Sequence, residues 1–480
     1  MGSDRSRRLR VIALVALVAW PLVALGGRSA TTATAFGLTC LALAVFERSR
    51  LGGAVDRALL GLLAIVTVQL IPLPAALVAM LSPHAVAVSR ALSIQLSTDA
   101  GFRALTLSRT DTAWAWIVMA GAIATFLIAR GRFRRGGVRQ TVRMIVALGF
   151  AVSLLAIAQA ATAGRDIYWR FRTEFEGPLP FGPFVNRNHF ATWVIMALPL
   201  SLGYIAARLG KPAEPTHASV RARLASSVDP RTAWLLAAGV TMLVALLLSL
   251  SRSGMLALAA TACGTIVFCR HRLDRRRRNR LLLAAALVVV GGFAWADIPA
   301  LGQRVAGAQS GLANRLTIWR ETVPIIRDFW LTGTGAGTYQ RAMFYYQQSS
   351  RVVYFNQAHN HYLQIAAEGG AMLITAFVLA VIAFVRSAHE RLTRDQSGLF
   401  WIRAGAACGL AAVALQSLWE TGLAMPANAA LAALLAALVV YERHDVAGTE
   451  LRLLGPNPNR ARAASSELLT ASRQPRAALE

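Results

Sequence analysis

The chain has little of what a secreted or soluble enzyme of its size would carry. Among 480 residues there are four cysteines, one lysine (Lys211) and 23 acidic residues against 50 basic ones. Each cysteine (Cys40, Cys263, Cys269, Cys408) falls inside an apolar run, so no disulfide framework is expected. No CxxC…CxxC or HExxH spacing offers a metal site, and none is expected. The first apolar run follows a basic segment but ends on no small-residue cleavage pattern, so it reads as a retained helix.

What is abundant is hydrocarbon. Hydrophobic residues make up 56% and mean hydropathy is +0.49, above the 45–50% of about an average soluble chain. The excess is gathered into blocks with few charges, each near the length that crosses a ~30 Å hydrocarbon core. Twelve are read, at about 11–27, 30–46, 58–80, 112–129, 144–163, 189–207, 232–250, 254–269, 281–297, 370–385, 404–419 and 427–441. The expected fold is an all-α polytopic membrane protein of about twelve spans, with one large outer (periplasmic) loop containing helices. Residues 1–445 form a single transmembrane domain and 446–480 a cytoplasmic, disordered tail.

A net charge of +27 in a soluble chain would suggest nucleic acid. Here the cations follow topology. With the N-terminus inside, the inner connections and both termini hold 35 of the 50 Lys+Arg, including Arg5 to Arg10, Arg130 to Arg143 and Arg275 to Arg278. That bias is the positive-inside rule, and no nucleic-acid partner is expected.

Three outer connections stand out, at about 81–111, 164–188 and 298–368. The first is expected to include a short interfacial helix. The third has apolar residues at helical spacing (Leu316, Trp319, Val323, Ile326, Trp330) and is expected to lay a helix over the bundle. Its run Gly333-Thr334-Gly335-Ala336-Gly337-Thr338 has glycine spacing like a nucleotide loop, but no preceding strand and no βαβ unit, so a tight turn is expected.

The polar candidates gather at the outer rim. His359 and His361, in Gln357-Ala358-His359-Asn360-His361-Tyr362-Leu363-Gln364, precede an apolar run. Their i, i+2 spacing points them to different sides of a helix, so one of the two faces a given substrate. An imidazole can take a proton from a hydroxyl near neutral pH. In Ser251-Arg252-Ser253-Gly254, almost no loop separates two spans, holding Arg252 at the rim, where a planar guanidinium suits phosphate oxygens. Asn188 reads as the cap of the sixth span, beside Arg187, an anion-attracting helix start. Arg315 and Arg320 lie on the loop helix, where one of the two could reach a phosphate.

In their order these segments resemble the O-antigen ligase/polymerase superfamily of bacterial envelope proteins. The resemblance rests on Phe184-Val185-Asn186-Arg187-Asn188-His189-Phe190-Ala191 with the apolar run to Pro199, and on Ser251 to Gly254. It rests also on Arg315 and Trp319 ahead of Gly333-Thr334-Gly335, and on His359 to Gln364 with Glu368 and Gly370. It covers roughly 184–375. It implies transfer of a glycan from an undecaprenyl-diphosphate carrier to an acceptor hydroxyl of lipid A-core, growing polysaccharide or protein, at the periplasmic face of the bacterial inner membrane. It implies no cofactor and no metal. By the same resemblance His359 is the catalytic histidine. Arg252, Arg315 and Arg187 contact the diphosphate. From their place beside these residues, Asn360, His361 (at a variable position of the motif) and Asn188 are expected to contribute to substrate binding. Gly369-Gly370-Ala371-Met372 departs from the family's more widely spaced glycines. Direct attack on the donor would invert the anomeric centre. A lipid-linked glycan flippase or transporter is the alternative reading, and it predicts charges strung along the spans.

Overall fold

The computed structural model describes residues 2–47, 51–92, 101–164, 166–172, 179–209, 229–297, 301–349 and 354–442. The expected tail at 446–480 lies outside the described residues. Sixteen α-helices run through the described parts: α1 Gly2–Val23, α2 Ala30–Phe46, α3 Ala54–Leu70, α4 Ala75–Leu81, α5 Pro83–Leu92, α6 Arg109–Arg134, α7 Val138–Thr162 and α8 Arg187–Leu209. They continue as α9 Pro230–Leu248, α10 Arg252–Phe268, α11 Arg275–Asp297, α12 Leu301–Asp328, α13 Tyr339–Tyr346, α14 His361–Arg394, α15 Phe400–Gln416 and α16 Pro426–Val440. The described extended pieces are two-residue pairs, Leu73–Pro74 with Phe102–Arg103 and Asp166–Ile167 with Phe171–Arg172.

Among the described residues six helices are long and apolar enough to cross a membrane, namely α6 to α10 and α14, while α2, α15 and α16 are apolar but shorter. The run expected as one span at 58–80 is not one helix. α3 stops at Leu70, Ile71 turns to extended backbone (φ −69°, ψ 129°), and Pro72 and Pro74 follow before α4 begins. The residue before a proline is driven out of helical backbone by the ring, which accounts for the stop. α4 and α5 then meet at 108°.

The core is built around α8. Phe190, Ala191, Trp193, Val194, Ile195, Met196, Ala197 and Leu200 are all fully buried, so this helix is apolar on every side. Its closest partner is α15, and glycines set the approach. A β-carbon on Gly409 would come within 2.8 Å of the Met196 carbonyl oxygen; one on Gly405 would strike the Pro199 carbonyl, and one on Gly203 the Trp401 carbonyl. Gly405 and Gly409 form the small-xxx-small pattern by which apolar helices pack backbone to backbone. Gly405→Val is expected to cost about 1–3 kcal/mol or more by overpacking. The check is the melting temperature of detergent-purified protein by fluorescence-detected size exclusion; an unchanged value would refute the close crossing.

At the bundle end that carries the α6 C-terminus, charges are buried in pairs. Arg130 forks onto Asp56 at 2.5 and 2.7 Å, and Arg132 binds Glu47. Arg403 binds Asp395 at 2.8 Å and also donates to the carbonyls of Val439 (2.8 Å) and Tyr441 (3.1 Å) at the end of α16. A cation on the last carbonyls of a helix satisfies groups the helix itself leaves without partners.

The loop at 301–368 is ordered through its described length. α12 covers the expected helical stretch, but the face it buries is Ile318, Thr322, Ile325 and Phe329, while Leu316, Val323 and Trp330 of the expected apolar stripe are exposed. The Tyr346 hydroxyl donates to Asp328 at 2.7 Å, and Thr322 bonds Tyr339 at 2.7 Å. Burial pushes both phenols up from their ordinary value, and the adjacent Asp328 adds to the effect at Tyr346.

The Gly333–Thr338 run is a turn, and the carboxyl group it cradles is internal. Glu368 accepts from the backbone N–H groups of Gly337 (2.8 Å) and Tyr339 (3.1 Å) and from the Gln364 amide (3.1 Å). Gly333, Gly335 and Gly337 all have positive φ, which glycine adopts at little cost. The turn crosses α14 where that helix breaks at Gly370 (φ 56°, ψ −160°). There the N–H groups of Ala371 and Met372 donate to the carbonyls of Trp330 and Leu331. Gln69 of α3 reaches the same crossing, donating to the carbonyls of Thr332 (2.8 Å) and Glu368 (3.0 Å) and accepting from the Ala336 N–H (3.0 Å). The adjacent Gly369-Gly370 pair therefore acts as a backbone break rather than as spaced packing positions.

Candidate functional site

Four elements bring polar side chains together: the start of α8, the middle of α12, the segment before α14 and the connection between α15 and α16. Their common partner is Glu420, which is 1% exposed. One Glu420 carboxylate oxygen accepts from the Asn188 amide at 2.8 Å and from the Arg315 guanidinium at 2.7 Å. The other lies 3.9 Å from Nδ1 of His359, outside direct hydrogen-bond reach.

Local sequence explains each placement. The α15–α16 connection is held on α8 by Gly422, which packs so closely against Thr192 that a β-carbon would collide with its hydroxyl. Asn428 fixes the same turn by donating to the carbonyls of Gly422 (2.8 Å) and His189 (3.1 Å). Thr192 donates to the Gln416 side chain at 2.8 Å. At the other end of the site, Phe181, Phe184 and Phe190 meet edge to face and seat the first turn of α8.

The capping assignment at α8 needs correction. The helix starts at Arg187, and the side chain that bonds its first turn is Asn186, whose oxygen accepts from the Asn188 N–H at 2.8 Å. Because the cap falls two residues earlier than the sequence suggested, the Asn188 amide is released to reach Glu420.

His359 stands in the left-handed region (φ 47°), between a buried Ala358 and the true cap of α14. That cap is Asn360, whose side-chain oxygen accepts from the N–H groups of Tyr362 (3.0 Å) and Leu363 (3.1 Å). Its carbonyl oxygen is thereby engaged in the helix end. Ala358 is held on both sides: its carbonyl accepts from the Trp319 indole at 3.0 Å and its N–H donates to Gln364 at 3.4 Å. Trp319 follows Arg315 by one helical turn, so one face of α12 supplies both the guanidinium on Glu420 and the anchor of the histidine segment. His361 has a different setting. Its backbone N–H donates to the Ser417 carbonyl at 2.8 Å, and its Nδ1 is buried without a hydrogen-bond partner among the described residues.

Arg252 and Arg187 flank the cluster on neighbouring helix starts. Arg252 opens α10, and Gly254 two residues on faces α8 and α15 so closely that a β-carbon there would lie 3.0 Å from that of Ala191 and 3.4 Å from the Gln416 amide nitrogen. Arg187 opens α8, its N–H donating to the Leu179 carbonyl at 3.1 Å. Sequence reasoning passed over Glu420. The available clue was its isolation, since it is the sole charged residue between Arg403 and Glu442. Among the described residues no group of three His, Cys, Asp or Glu side chains comes together as a metal site would require.

These features define a helical membrane protein with a polar site of guanidinium, carboxylate, amide and imidazole at one end of its bundle. Residues 237–379, spanning α9 to the middle of α14, match the family model described as O-antigen ligase. The match contains Arg252, Arg315 and His359, while Asn188 and Glu420 lie to either side of it. No curated protein matches the chain.

Proposed function

We propose that the chain moves a glycan from an undecaprenyl-diphosphate carrier to an acceptor hydroxyl, on the periplasmic face of a bacterial inner membrane that it crosses about twelve times with both termini in the cytoplasm. The observation that carries this reading is the convergence of Arg315, Asn188 and His359 on one buried carboxylate, within and beside the family-matched segment.

In the step itself the acceptor oxygen attacks the anomeric carbon, and the bond from that carbon to the diphosphate oxygen breaks with its electron pair leaving on the carrier. The hydroxyl proton passes to His359. The imidazolium so formed stands near the Glu420 carboxylate, a favourable place for the new positive charge. Charge growing on the leaving diphosphate is met by Arg252, Arg315 and Arg187, whose forked donors match phosphate oxygens. A single displacement inverts the anomeric centre. Lipid A-core, a growing polysaccharide and a protein side chain all present the required hydroxyl.

Purified protein in liposomes, given a lipid-diphosphate-linked glycan and an acceptor, is the deciding experiment. Glycan on the acceptor with stoichiometric release of carrier diphosphate is the expected result. Movement of the intact donor across the bilayer with no transfer would overturn the reading in favour of a flippase.

A further inference from the structure

Arg139 and Arg143, in the first turns of α7, serve no part of the site above, yet they line a pair of cavities at the far end of the bundle. One, of about 690 Å³, is bounded by Arg8, Arg139, Gln140, Arg143, Ser397 and Tyr441 among others. The second, of about 250 Å³, is bounded by Arg143, Arg208, Arg231, Tyr204 and Trp234 among others. Arg143 lines both. Among the described residues no acidic side chain lines either cavity; the adjacent Asp229 is bound to Arg208 at 2.6 Å. Asn188 and Arg208 are the two ends of α8, about 30 Å apart at 1.5 Å per residue, so these cavities are separate from the Glu420 cluster.

We propose that this pair of cavities binds the phosphate headgroup of an anionic phospholipid, with Arg143 shared between the two halves. Arg8, Arg139, Arg143 and Arg231 stand around the two cavities beside the Asp229-bound Arg208; guanidinium forks suit phosphodiester oxygens, and basic pockets between membrane helices are a recurrent way to hold such headgroups. The surroundings favour a lipid over a free anion. Trp234 lines the smaller cavity, and Leu236, Val240 and Val244 form an exposed apolar stripe that runs along α9 from the turn beside it. A headgroup at Arg143 can therefore lay its acyl chains along α9, with Trp234 at the level where aromatic side chains favour the interface.

The test uses the full chain, purified in detergent and stripped of lipid, with melting temperature followed against added diphosphatidylglycerol, phosphatidylcholine or inorganic phosphate. Diphosphatidylglycerol is expected to raise it by several degrees, because a ligand that binds the folded state stabilises it by mass action. Phosphatidylcholine and inorganic phosphate are expected to leave it unchanged. Arg143→Gln is expected to weaken the response about tenfold in lipid concentration through loss of the shared fork. Arg139→Gln is the second variant should the first fold poorly. An equal rise with phosphatidylcholine, an equal rise with inorganic phosphate, or an undiminished response in both variants would overturn the proposal. The glycan-transfer assay is not part of this readout, so failure here and failure of the proposed function are distinct results.

Discussion

Changing His359 to asparagine is expected to lower glycan transfer by about 10²–10⁴-fold, the range a positioned general base contributes. The protein should still fold with near-wild-type stability. Asparagine is chosen because the residue stands at φ 47°, and asparagine tolerates the left-handed region better than most side chains. Alanine would add backbone strain to the loss of the base. The surrounding frame does not depend on the imidazole: Ala358 is held by Trp319 and Gln364, and Asn360 caps α14. Transfer measured in membranes, beside a melting curve of the same preparation, makes the check. Wild-type turnover by the His359→Asn protein would remove His359 from the chemistry.

Glu420 is expected to give the second large effect, divided between stability and activity. Glu420→Ala strips the partner from Arg315 and from the Asn188 amide together. Breaking one side of a fully buried pair costs about 3–5 kcal/mol. The Arg315 side chain is 30% exposed, so solvent offsets part of that, and about 2–3 kcal/mol is the expected loss. Glu420→Gln separates charge from shape. Its amide oxygen can still accept from Arg315 and Asn188, so the melting temperature should fall little. The negative charge beside His359 is gone, however, and transfer should drop at least tenfold if that charge stabilises the protonated imidazole. A glutamine protein with full activity would leave Glu420 a packing residue only.

The sequence reading reached some of this structure and not the rest, for identifiable reasons. Apolar block length reveals helices wherever the chain stays apolar, and the spacing of Leu316, Trp319, Val323 and Ile326 revealed α12 inside a long loop but not its buried face, which is Ile318, Thr322, Ile325 and Phe329. The same criterion failed at 58–80, where Pro72 and Pro74 act on backbone geometry that hydropathy does not record. Asn188 was placed correctly at a helix start but given the wrong task, because caps shift by a residue or two without altering the pattern around them. Glu420 was invisible to local reasoning. Its partners lie 105 and 232 residues away, and nothing in Trp419-Glu420-Thr421-Gly422 states that they will meet there. The turn at Gly333–Thr338 was recognised from the strand it lacks, but its filling by Glu368 depends on a break in α14 that the adjacent glycines Gly369-Gly370 permit without dictating.

The Gln69 crossing bears on how the protein is made. Its amide binds the carbonyls of Thr332 and Glu368, which lie 263 and 299 residues further along the chain. At a synthesis rate of about 5–20 residues per second, roughly 15–60 s separate the emergence of Gln69 from that of its partners. During that interval a polar amide at the end of α3, now buried, must be satisfied by water or an insertion factor. The crossing is therefore a late event in biogenesis, closing only after the loop and the start of α14 have been delivered, and a chain truncated before Glu368 would be released with its α3 end unsealed.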